Sequence, residues 1–386
     1  MNCPICNSSL IDILKESPNS ITSDSKMINE LVSIAICHDC GNLFNSSGAR
    51  NNIADFYQNS YDLLGNSFQA ETRIYETNKK LSLSDWRLKH LYSLNVLPKT
   101  GNILDIGCGK GNFLQTFNSL FPDWNLYGIE SSTSSLSIAK NNLSNSIFYE
   151  GIYDKNLFDK KFDFIVALNV LEHIEDPKLF LENIFDDLNE NGLVCFDVPN
   201  FKVNPIDVFI YDHLTHFTSE TLVNLLQNVG FEILKFVENT NQVPILAICK
   251  KSPKKFPLKN FFNMTKRLLD DSLIYNEELF STYNFVNKTY EKYGVVGLGI
   301  PVWKGIQNEV LDTSKIFSFY DENLTVIGTK YDNISVKSLD DISHEKSLPL
   351  IYSVSPCYID NLKQKILPYN TKQFLPKSYS YFLKYF

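Results

Sequence analysis

The chain has 386 residues, long enough for two or three domains, and its 44% hydrophobic content supports real cores, which excludes a disordered or fibrous chain. A formal charge of −8, from 36 Lys and Arg against 44 Asp and Glu, disfavours a nucleic-acid partner. No apolar run approaches the roughly 20 residues of a membrane helix, and the first residues lack the pattern of a signal peptide, so we expect a cytoplasmic protein without a membrane partner. Its oligomeric state is not indicated.

Four of the eight cysteines form two C-x2-C pairs near the start of the chain. Cys3 and Cys6 make the first pair, and Cys37 and Cys40 make the second. Each pair offers two thiolates from one turn, and two such turns complete a closed tetrahedral zinc site that serves folding. A redox motif or coincidental pairing is the alternative. The sequence thus predicts a zinc-binding domain over residues 1–50.

A mostly polar stretch over residues 51–95 is expected to form a helical connection. Tyr57 and Tyr61 are four residues apart, which places both on one helix face. They either pack or fold over a ligand of the domain that follows.

A glycine-rich loop follows the next apolar segment. A strand ending in Asp105 leads into Gly107-x-Gly109-x-Gly111 and then into a helical pattern, which is typical of a loop whose backbone lies against a ligand. The next predicted strand ends in Glu130, 19 positions after Gly111. A carboxylate at this place can accept the hydroxyls of a ribose.

Further strands are predicted to alternate with helical segments. We expect strands over 146–151, 162–168 and 192–199, which indicates an α/β fold with a parallel sheet. Residues 230–237 and 243–249 are expected to form a hairpin that ends this domain.

In this order the motifs resemble the class I S-adenosylmethionine-dependent methyltransferases over about residues 96–251. The resemblance rests on the loop, on Glu130, on residues 162–173 with Leu-Glu-His at their end, and on residues 212–218. It implies a Rossmann-like core, a small-molecule substrate and S-adenosyl-L-methionine as cofactor. In that family the loop lies along the amino-acid part of the cofactor and the acidic residue holds the ribose. By this resemblance the expected cofactor-binding residues are Asp105, Gly107, Cys108, Gly109, Glu130, Ser131, Ile152, Tyr153 and Asn169.

Histidine is the residue whose pKa suits removal of a proton from a methyl acceptor. His173 and His213 are therefore the candidate bases, with a structural role as the alternative for each. Tyr211 and Asp212, directly before His213, complete the candidate catalytic set.

A third domain is predicted after a linker and helix over 252–293. Residues 294–386 begin with a strand, Gly297-x-Gly299 and a helix, and the next strand ends in Asp321, 22 positions after Gly299. This pattern predicts a smaller Rossmann-like α/β domain, which by itself indicates NAD. A domain that only packs is the alternative.

The three-part architecture resembles the deoxysugar C-methyltransferases, which act on nucleotide-linked keto-sugars. In that group a Tyr/Glu/His cluster lies where this chain has Tyr211-Asp212-His213, and the Asp in place of Glu leaves O-methylation open. The resemblance implies methyl transfer to a carbon or oxygen of a nucleotide-linked or phosphorylated sugar in surface carbohydrate biosynthesis. Trp303 and Lys304, which replace an expected small-residue segment, are candidate contacts to a sugar phosphate. The alternatives are an NAD-dependent oxidoreductase that uses the C-terminal glycine loop, and a binding protein with a decayed site.

Overall fold

A computed structural model describes residues 1–47, 56–57, 73–76, 79–155, 157–238, 243–323, 326–345, 347–369 and 371–380. Three larger sheets, of four, seven and six strands, organise these residues, and two two-stranded ribbons accompany them. Among the described residues no helix combines the length and the apolar character that crossing a membrane requires.

The N-terminal region is built from short antiparallel strands. They are β1 (Ile11–Ser17), β2 (Ser20–Ile21), β3 (Met27–Ile28), β4 (Val32–Cys37) and β5 (Leu43–Asn45). Strand β4 pairs with both β1 and β5, while β2 and β3 form a separate hairpin. Every residue of β4 is buried, and Val32, Ile34 and Ile36 belong to one hydrophobic cluster.

The expectation of a helical connection is wrong over residues 73–82. Strands β6 (Arg73–Glu76) and β7 (Lys79–Ser82) pair there as an antiparallel ribbon, and only α1 (Leu83–Tyr92) is helical. The helix begins where the Ser82 side chain accepts the Asp85 backbone N–H at 3.0 Å, so this N-cap separates ribbon from helix.

The seven-stranded sheet has the doubly wound arrangement that the sequence predicts. Its first five strands are β8 (Asn102–Ile106), β9 (Asn125–Glu130), β10 (Ile147–Glu150), β11 (Phe162–Leu168) and β12 (Leu188–Pro199). The helices between and after them are α2 (Asn112–Leu120), α3 (Thr133–Asn142), α4 (Pro177–Asp187) and α5 (Ser219–Val229). The sheet is completed by β14 (Phe231–Val237) and β15 (Pro244–Lys251). The short strand β13 (Thr215–His216) precedes α5 in the chain.

The strand order of this sheet is β10-β9-β8-β11-β12-β15-β14. The first five strands in this order are mutually parallel, and β14 and β15 form the predicted antiparallel hairpin at one edge. The carboxyl ends of the parallel strands therefore share one edge of the sheet, where ligands bind in such folds. Strand β13 is not part of this sheet, since it pairs with β5.

A long helix, α6 (Phe262–Thr289), leads into the C-terminal sheet. The remaining elements are β16 (Tyr293–Val296), α7 (Ile300–Gln307), β17 (Ile316–Asp321), β18 (Lys330–Tyr331), β19 (Ile334–Ser338), β20 (Leu350–Tyr352), α8 (Pro356–Ile366) and β21 (Gln373–Phe374). The strand order is β18-β19-β17-β16-β20-β21, parallel except for β18. One hydrophobic cluster joins this sheet, α6 and the N-terminal sheet.

Candidate functional site

A cavity of about 720 Å³ opens at the carboxyl edge of β10, β9, β8 and β11. Its volume lies within the range of cavities that hold cofactors and small ligands. Because the four strands lie side by side, the residues that follow them line the cavity in a fixed order. Ile152 comes after β10, Glu130 ends β9, the glycine loop follows β8, and Asn169 and His173 follow β11.

The glycine loop exposes its backbone to this cavity. Gly107, Gly109 and Gly111 all have positive φ, at 70°, 54° and 81°, a conformation that side chains with a Cβ rarely adopt. A Cβ on Gly107 would lie 2.7 Å from Val170 Cγ2, so that glycine is required by packing. A Cβ on Gly109 would have no neighbour within 4 Å, so at Gly109 the loop faces open space.

Glu130 ties the loop to the end of β9. Its two carboxylate oxygens accept backbone N–H groups, one from Gly109 and one from Ser132, both at 2.8 Å. Burial raises the pKa of Glu130, and these hydrogen bonds partly oppose the rise. The carboxylate thus lies at the cavity wall in a defined orientation.

Arg87, on α1, lines the cavity and was not predicted as a site residue from the sequence. Its Nε donates to Asp197 Oδ2 at 2.7 Å, and its Nη2 donates to Asn169 Oδ1 at 2.8 Å. Burial raises the pKa of Asp105 to about 8, although the positive charge of Arg87 lowers it. No local pattern marks this arginine, because its importance comes from partners 82 and 110 residues away.

His173 lines the far side of the cavity, at the end of a 3-10 turn over Leu171–His173. Its Nδ1 lies 2.7 Å from the Asp212 backbone oxygen and 2.6 Å from the Tyr57 hydroxyl. Because a carbonyl oxygen can only accept, Nδ1 carries the proton and Nε2 is left with the lone pair. Burial, together with the charge of His213, lowers the pKa of His173 to about 4, so the ring is neutral at pH 7.

Asp212 accepts hydrogen bonds from Ser23 and from the cavity residue Tyr57. It is fully buried, and its carboxylate accepts hydrogen bonds from the Ser23 backbone and hydroxyl at 2.8 and 2.6 Å and from the Tyr57 hydroxyl at 2.7 Å. Burial raises the pKa of Asp212, but electrostatic interaction with the His173 and His213 rings and these hydrogen bonds outweigh it, so the pKa is lowered. Asp212 is therefore an anion in the folded protein.

His213 differs from His173 in its charge. Its Nδ1 lies 2.8 Å from Asp207 Oδ1, and the other oxygen of Asp207 contacts His216 Nδ1 at 2.5 Å. Burial lowers the pKa of His213, but the Asp207 carboxylate more than compensates and raises it to about 9. The two neighbouring histidines, whose ring centroids are 4.9 Å apart, are thus one neutral and one cationic at pH 7.

Comparison with known proteins identifies the part of the chain that forms this cavity. Residues 77–235 match the family model of a methyltransferase domain, Methyltransf_23. By this match these residues, about two fifths of the chain, form a methyltransferase domain. This finding confirms the predicted Rossmann-like core.

Two curated relatives show how far the similarity extends. An uncharacterized methyltransferase of Schizosaccharomyces pombe is 28% identical over 185 residues, covering 44% of this chain and 61% of the relative. A carboxy-S-adenosyl-L-methionine synthase of Campylobacter jejuni is 31% identical over 104 residues, covering 26% of this chain and 44% of the relative. The chain therefore spans about half the length of these relatives.

A solved S-adenosylmethionine-dependent methyltransferase from Clostridium acetobutylicum is 18% identical to this chain. It covers 44% of this chain and 90% of its own, with a TM-score of 0.36.

The nine expected cofactor-binding residues all line the cavity of the methyltransferase domain. They are Asp105, Gly107, Cys108, Gly109, Glu130, Ser131, Ile152, Tyr153 and Asn169. Ile152 is 53% exposed, whereas Tyr153 is buried and donates to Asp187 Oδ2 at 2.6 Å. Their shared location agrees with a common ligand, and their individual contacts to it stay a prediction.

The expected catalytic residues separate into two groups. His173 lines the cavity, and Asp212 and His213 adjoin it in the polar cluster just described. Tyr211 does not join them, because its ring belongs to the hydrophobic cluster between the N-terminal and C-terminal sheets. Tyr57, noted for its spacing alone, does reach the cluster, while Tyr61 lies outside the described residues.

Trp303 and Lys304 lie away from the cavity of the methyltransferase domain, and Lys304 lines a separate cavity of about 240 Å³ with Lys15 and Phe209. Trp303 and Lys304 are both almost fully buried, and Lys304 Nζ lies 2.5 Å from the Asn19 backbone oxygen and 2.8 Å from Gln307 Oε1. The reason is the packing of α7 against the N-terminal hairpin, which the linear sequence does not indicate. Burial lowers the pKa of Lys304 to about 8.

The four N-terminal cysteines converge as their spacing predicts. Their sulfur atoms all lie within 4.8 Å of one another, with Cys3 and Cys40 at 3.6 Å and Cys6 and Cys37 at 3.5 Å. A tetrahedral zinc with Zn–S bonds of about 2.3 Å places its sulfurs roughly 3.8 Å apart. The cluster therefore has the donor set and spacing of a structural zinc site.

Proposed function

We propose that the protein transfers a methyl group from S-adenosyl-L-methionine to a carbon or oxygen of a nucleotide-linked or phosphorylated sugar. The observation that carries this proposal is the continuity of one cavity, which runs from Ile152 past the glycine loop to His173. A cofactor side and a proton-accepting side thus share one space.

The order of residues along the sheet edge supports an orientation for the cofactor. Ile152 and Tyr153 would flank the adenine, Glu130 would receive the ribose hydroxyls, and Gly109 would lie along the amino-acid part. Asn169 and the cationic Arg87 lie beside the glycine loop, where the carboxylate of the methionine moiety would be. When bound, the cofactor supplies a methyl group on a positively charged sulfur.

The polar cluster supports an acceptor that loses a proton. In this proposal the neutral His173 takes a proton from an acceptor O–H or C–H at Nε2, because Nδ1 donates to the Asp212 backbone oxygen. Nε2 lies 3.7 Å from Glu172 Oε1. The acceptor atom forms its bond to the methyl carbon as the carbon–sulfur bond breaks, and the electron pair of that bond remains on sulfur. His213 does not line the cavity, but its positive charge, 4.9 Å from His173 between ring centroids, favours negative charge that develops on the acceptor.

The sugar part of the proposal rests on the three-part architecture. The two curated relatives cover 44% and 26% of this chain, and their names do not mention a sugar acceptor. The acceptor is therefore argued from the regions around it, a four-cysteine N-terminal region and a C-terminal parallel sheet, as in the sugar C-methyltransferases that the sequence resembles. We include in the proposal the division into regions 1–50, 51–95, 96–251, 252–293 and 294–386.

Two measurements test the proposed function. Calorimetric titration with S-adenosyl-L-methionine is expected to show one site per chain, and absence of binding to folded protein would refute the proposal. Release of S-adenosylhomocysteine in the presence of a panel of nucleotide-linked keto-sugars and hydroxy-sugars is expected for at least one member. Binding without turnover on any member would favour a decayed site.

We also propose that Cys3, Cys6, Cys37 and Cys40 hold a structural zinc ion. Metal analysis should give about one zinc per chain, and Cys3→Ser should release it and lower the free energy of unfolding by several kcal/mol. Cys357→Ser is the matched control, because Cys357 is buried in the C-terminal region away from the cluster. Metal-free protein that is folded and as stable as the purified form would contradict the assignment.

A further inference from the structure

The loop that carries Asp212 and His213 is held by the N-terminal region of the chain. The Tyr211 backbone N–H donates to Ile21 O at 2.9 Å, and the Asn45 side chain donates to Tyr211 O at 3.0 Å. Strand β13, which ends at His216, pairs with β5 in antiparallel register. The backbone on both sides of Asp212 is thus fixed by residues that lie more than 160 positions earlier in the chain.

Ser23, also in the N-terminal region, fixes the side chain of Asp212. Ser23 donates two hydrogen bonds to Asp212, from its backbone N–H to Oδ1 at 2.8 Å and from its hydroxyl to Oδ2 at 2.6 Å. A carboxylate that accepts a hydrogen bond at each oxygen cannot rotate about its Cβ–Cγ bond without losing one of these hydrogen bonds. Ser23 therefore fixes the plane of the Asp212 carboxylate.

The orientation of Asp212 matters because Tyr57 and His173, which also form hydrogen bonds to Asp212, line the cavity. Oδ2 also accepts from the Tyr57 hydroxyl at 2.7 Å, and the Asp212 backbone oxygen accepts from His173 Nδ1. Tyr57 and His173 both line the cavity, whereas Ser23 does not. A chain of contacts thus runs from the N-terminal region through Asp212 to the residues that face the acceptor.

His213 and His216 are oriented by a different group. Both contact Asp207, which lies in the turn over Pro205–Phe209. The hydrogen bonds from Ser23 therefore act on the His173 side of the cluster and not on the Asp207 side. The Asp207 side is reached from Ser23 only indirectly, since the His173 and His213 rings are 4.9 Å apart between centroids.

We propose that Ser23 is a positioning residue for methyl transfer, which acts through Asp212 to hold Tyr57 and His173 in their working orientation. This proposal rests on the proposed function. It assigns the N-terminal region a role in the catalytic step, in addition to its role in folding.

Three variants of the full chain test the proposal. Ser23→Ala should lower kcat about tenfold or more, because a hydrogen bond to a charged group is lost, while the Kd for S-adenosyl-L-methionine stays within about twofold. Ser23→Thr keeps the hydroxyl, and Ser23 is only half-buried, so this variant should recover most of kcat. Ser20→Ala is the matched control, because it removes a buried hydroxyl that donates to Glu30 O at 2.8 Å and does not touch Asp212.

A readout that needs no acceptor separates this proposal from the proposed function. In protein labelled with ¹⁵N-histidine, and assigned with His173→Gln, the His173 ring shifts report which nitrogen carries the proton. Ser23→Ala should change these shifts, and Ser20→Ala should not. Unchanged shifts and unchanged kcat in Ser23→Ala would overturn the positioning role. A wild type that fails to bind the cofactor, but whose His173 shifts change in Ser23→Ala, would overturn the proposed function and leave the effect of Ser23 on His173 intact.

Discussion

Two strand-turn-helix units in this protein share one local pattern and differ in what surrounds it. In the methyltransferase domain Glu130 accepts the backbone N–H groups of Gly109 and Ser132. In the C-terminal sheet Asp321 accepts those of Leu298 and Asn323, at 3.0 and 2.7 Å. Each acid closes a glycine-containing loop onto the end of the neighbouring parallel strand.

The first glycine of each loop also has the same role. A Cβ on Gly107 would meet Val170 at 2.7 Å, and a Cβ on Gly297 would meet Val354 at 2.3 Å. Both glycines have positive φ, so packing and backbone conformation each exclude a side chain there. Gly107 and Gly297 are therefore required by the close approach of two loops, which does not indicate a ligand.

The units differ beyond that glycine. Gly109 has positive φ and faces the cavity, and the helix begins three residues later. Gly299 has extended backbone directly before α7, and α7 packs against the N-terminal hairpin through Lys304 and Gln307. The comparison teaches that a glycine loop and an acidic strand end specify a local turn, while neighbouring elements decide whether the unit binds or packs.

The largest expected effect comes from a matched pair of glycine substitutions. Gly109→Val should weaken binding of S-adenosyl-L-methionine by about 100-fold or more, because a β-branched residue at positive φ distorts the loop and intrudes on the cavity. Gly299→Val should leave that affinity within about twofold, since its backbone is extended and a Cβ would meet only Pro301 Cδ at 3.8 Å. Calorimetry measures both. Equal losses would erase the distinction between the loops, and NADH binding that only Gly299→Val abolishes would support the oxidoreductase alternative.

A smaller effect is expected from the two acids. Glu130→Gln should weaken cofactor binding by roughly tenfold, because the ribose would lose a charged acceptor. Asp321→Asn should leave cofactor affinity unchanged and lower the free energy of unfolding by about 1–2 kcal/mol. Titration and denaturant unfolding of the same two variants check this. A cofactor defect in Asp321→Asn would show that the C-terminal unit contributes to the site.

The polar cluster at the end of the first cavity predicts a pH dependence. The rate should rise as pH increases through about 4, where His173 loses its proton, and fall about tenfold per unit above about 9, where His213 loses its charge. Asp207 contributes most to raising the His213 pKa, followed by Asp212 and by Glu172, the buried residue directly before His173. A pH–rate profile of the wild type and of His213→Gln measures this, and an alkaline limb that persists in His213→Gln would contradict the assignment.

The smallest effect concerns the packing of the second unit. Lys304→Met should lower the free energy of unfolding by about 1 kcal/mol, because the Asn19 carbonyl loses its partner, and should leave turnover unchanged. Thermal unfolding and turnover with the sugar that the panel identifies check it. A stable Lys304→Met protein with a raised KM for a phosphorylated acceptor would restore Lys304 as a substrate contact.

Periodicity and spacing were enough for the elements whose determinants are local. The parallel strands of the core, the hairpin after residue 230 and the convergence of the four cysteines each depend on short-range patterns, and the structure has all of them. The ribbon at residues 73–82 escaped prediction because pairing between strands outweighs the helical tendency of a polar segment. Arg87 was not predicted as a site residue because its hydrogen-bond partners are distant in the sequence. Asp207 was not predicted because its partners are two histidines whose approach depends on the conformation of a loop.

By itself, the sequence determined the kind of core, the glycine loop with its acidic strand end, and the cysteine cluster. Only the tertiary structure decided that His173 is neutral while His213 is charged, since burial and the approach of Asp207 and Asp212 set those pKa values. It also decided that Lys304 contacts the N-terminal hairpin, and that Ser23 reaches Asp212 across 189 positions. The physical reason is that local patterns fix backbone conformation, whereas charge state and ligand access depend on what the fold brings alongside.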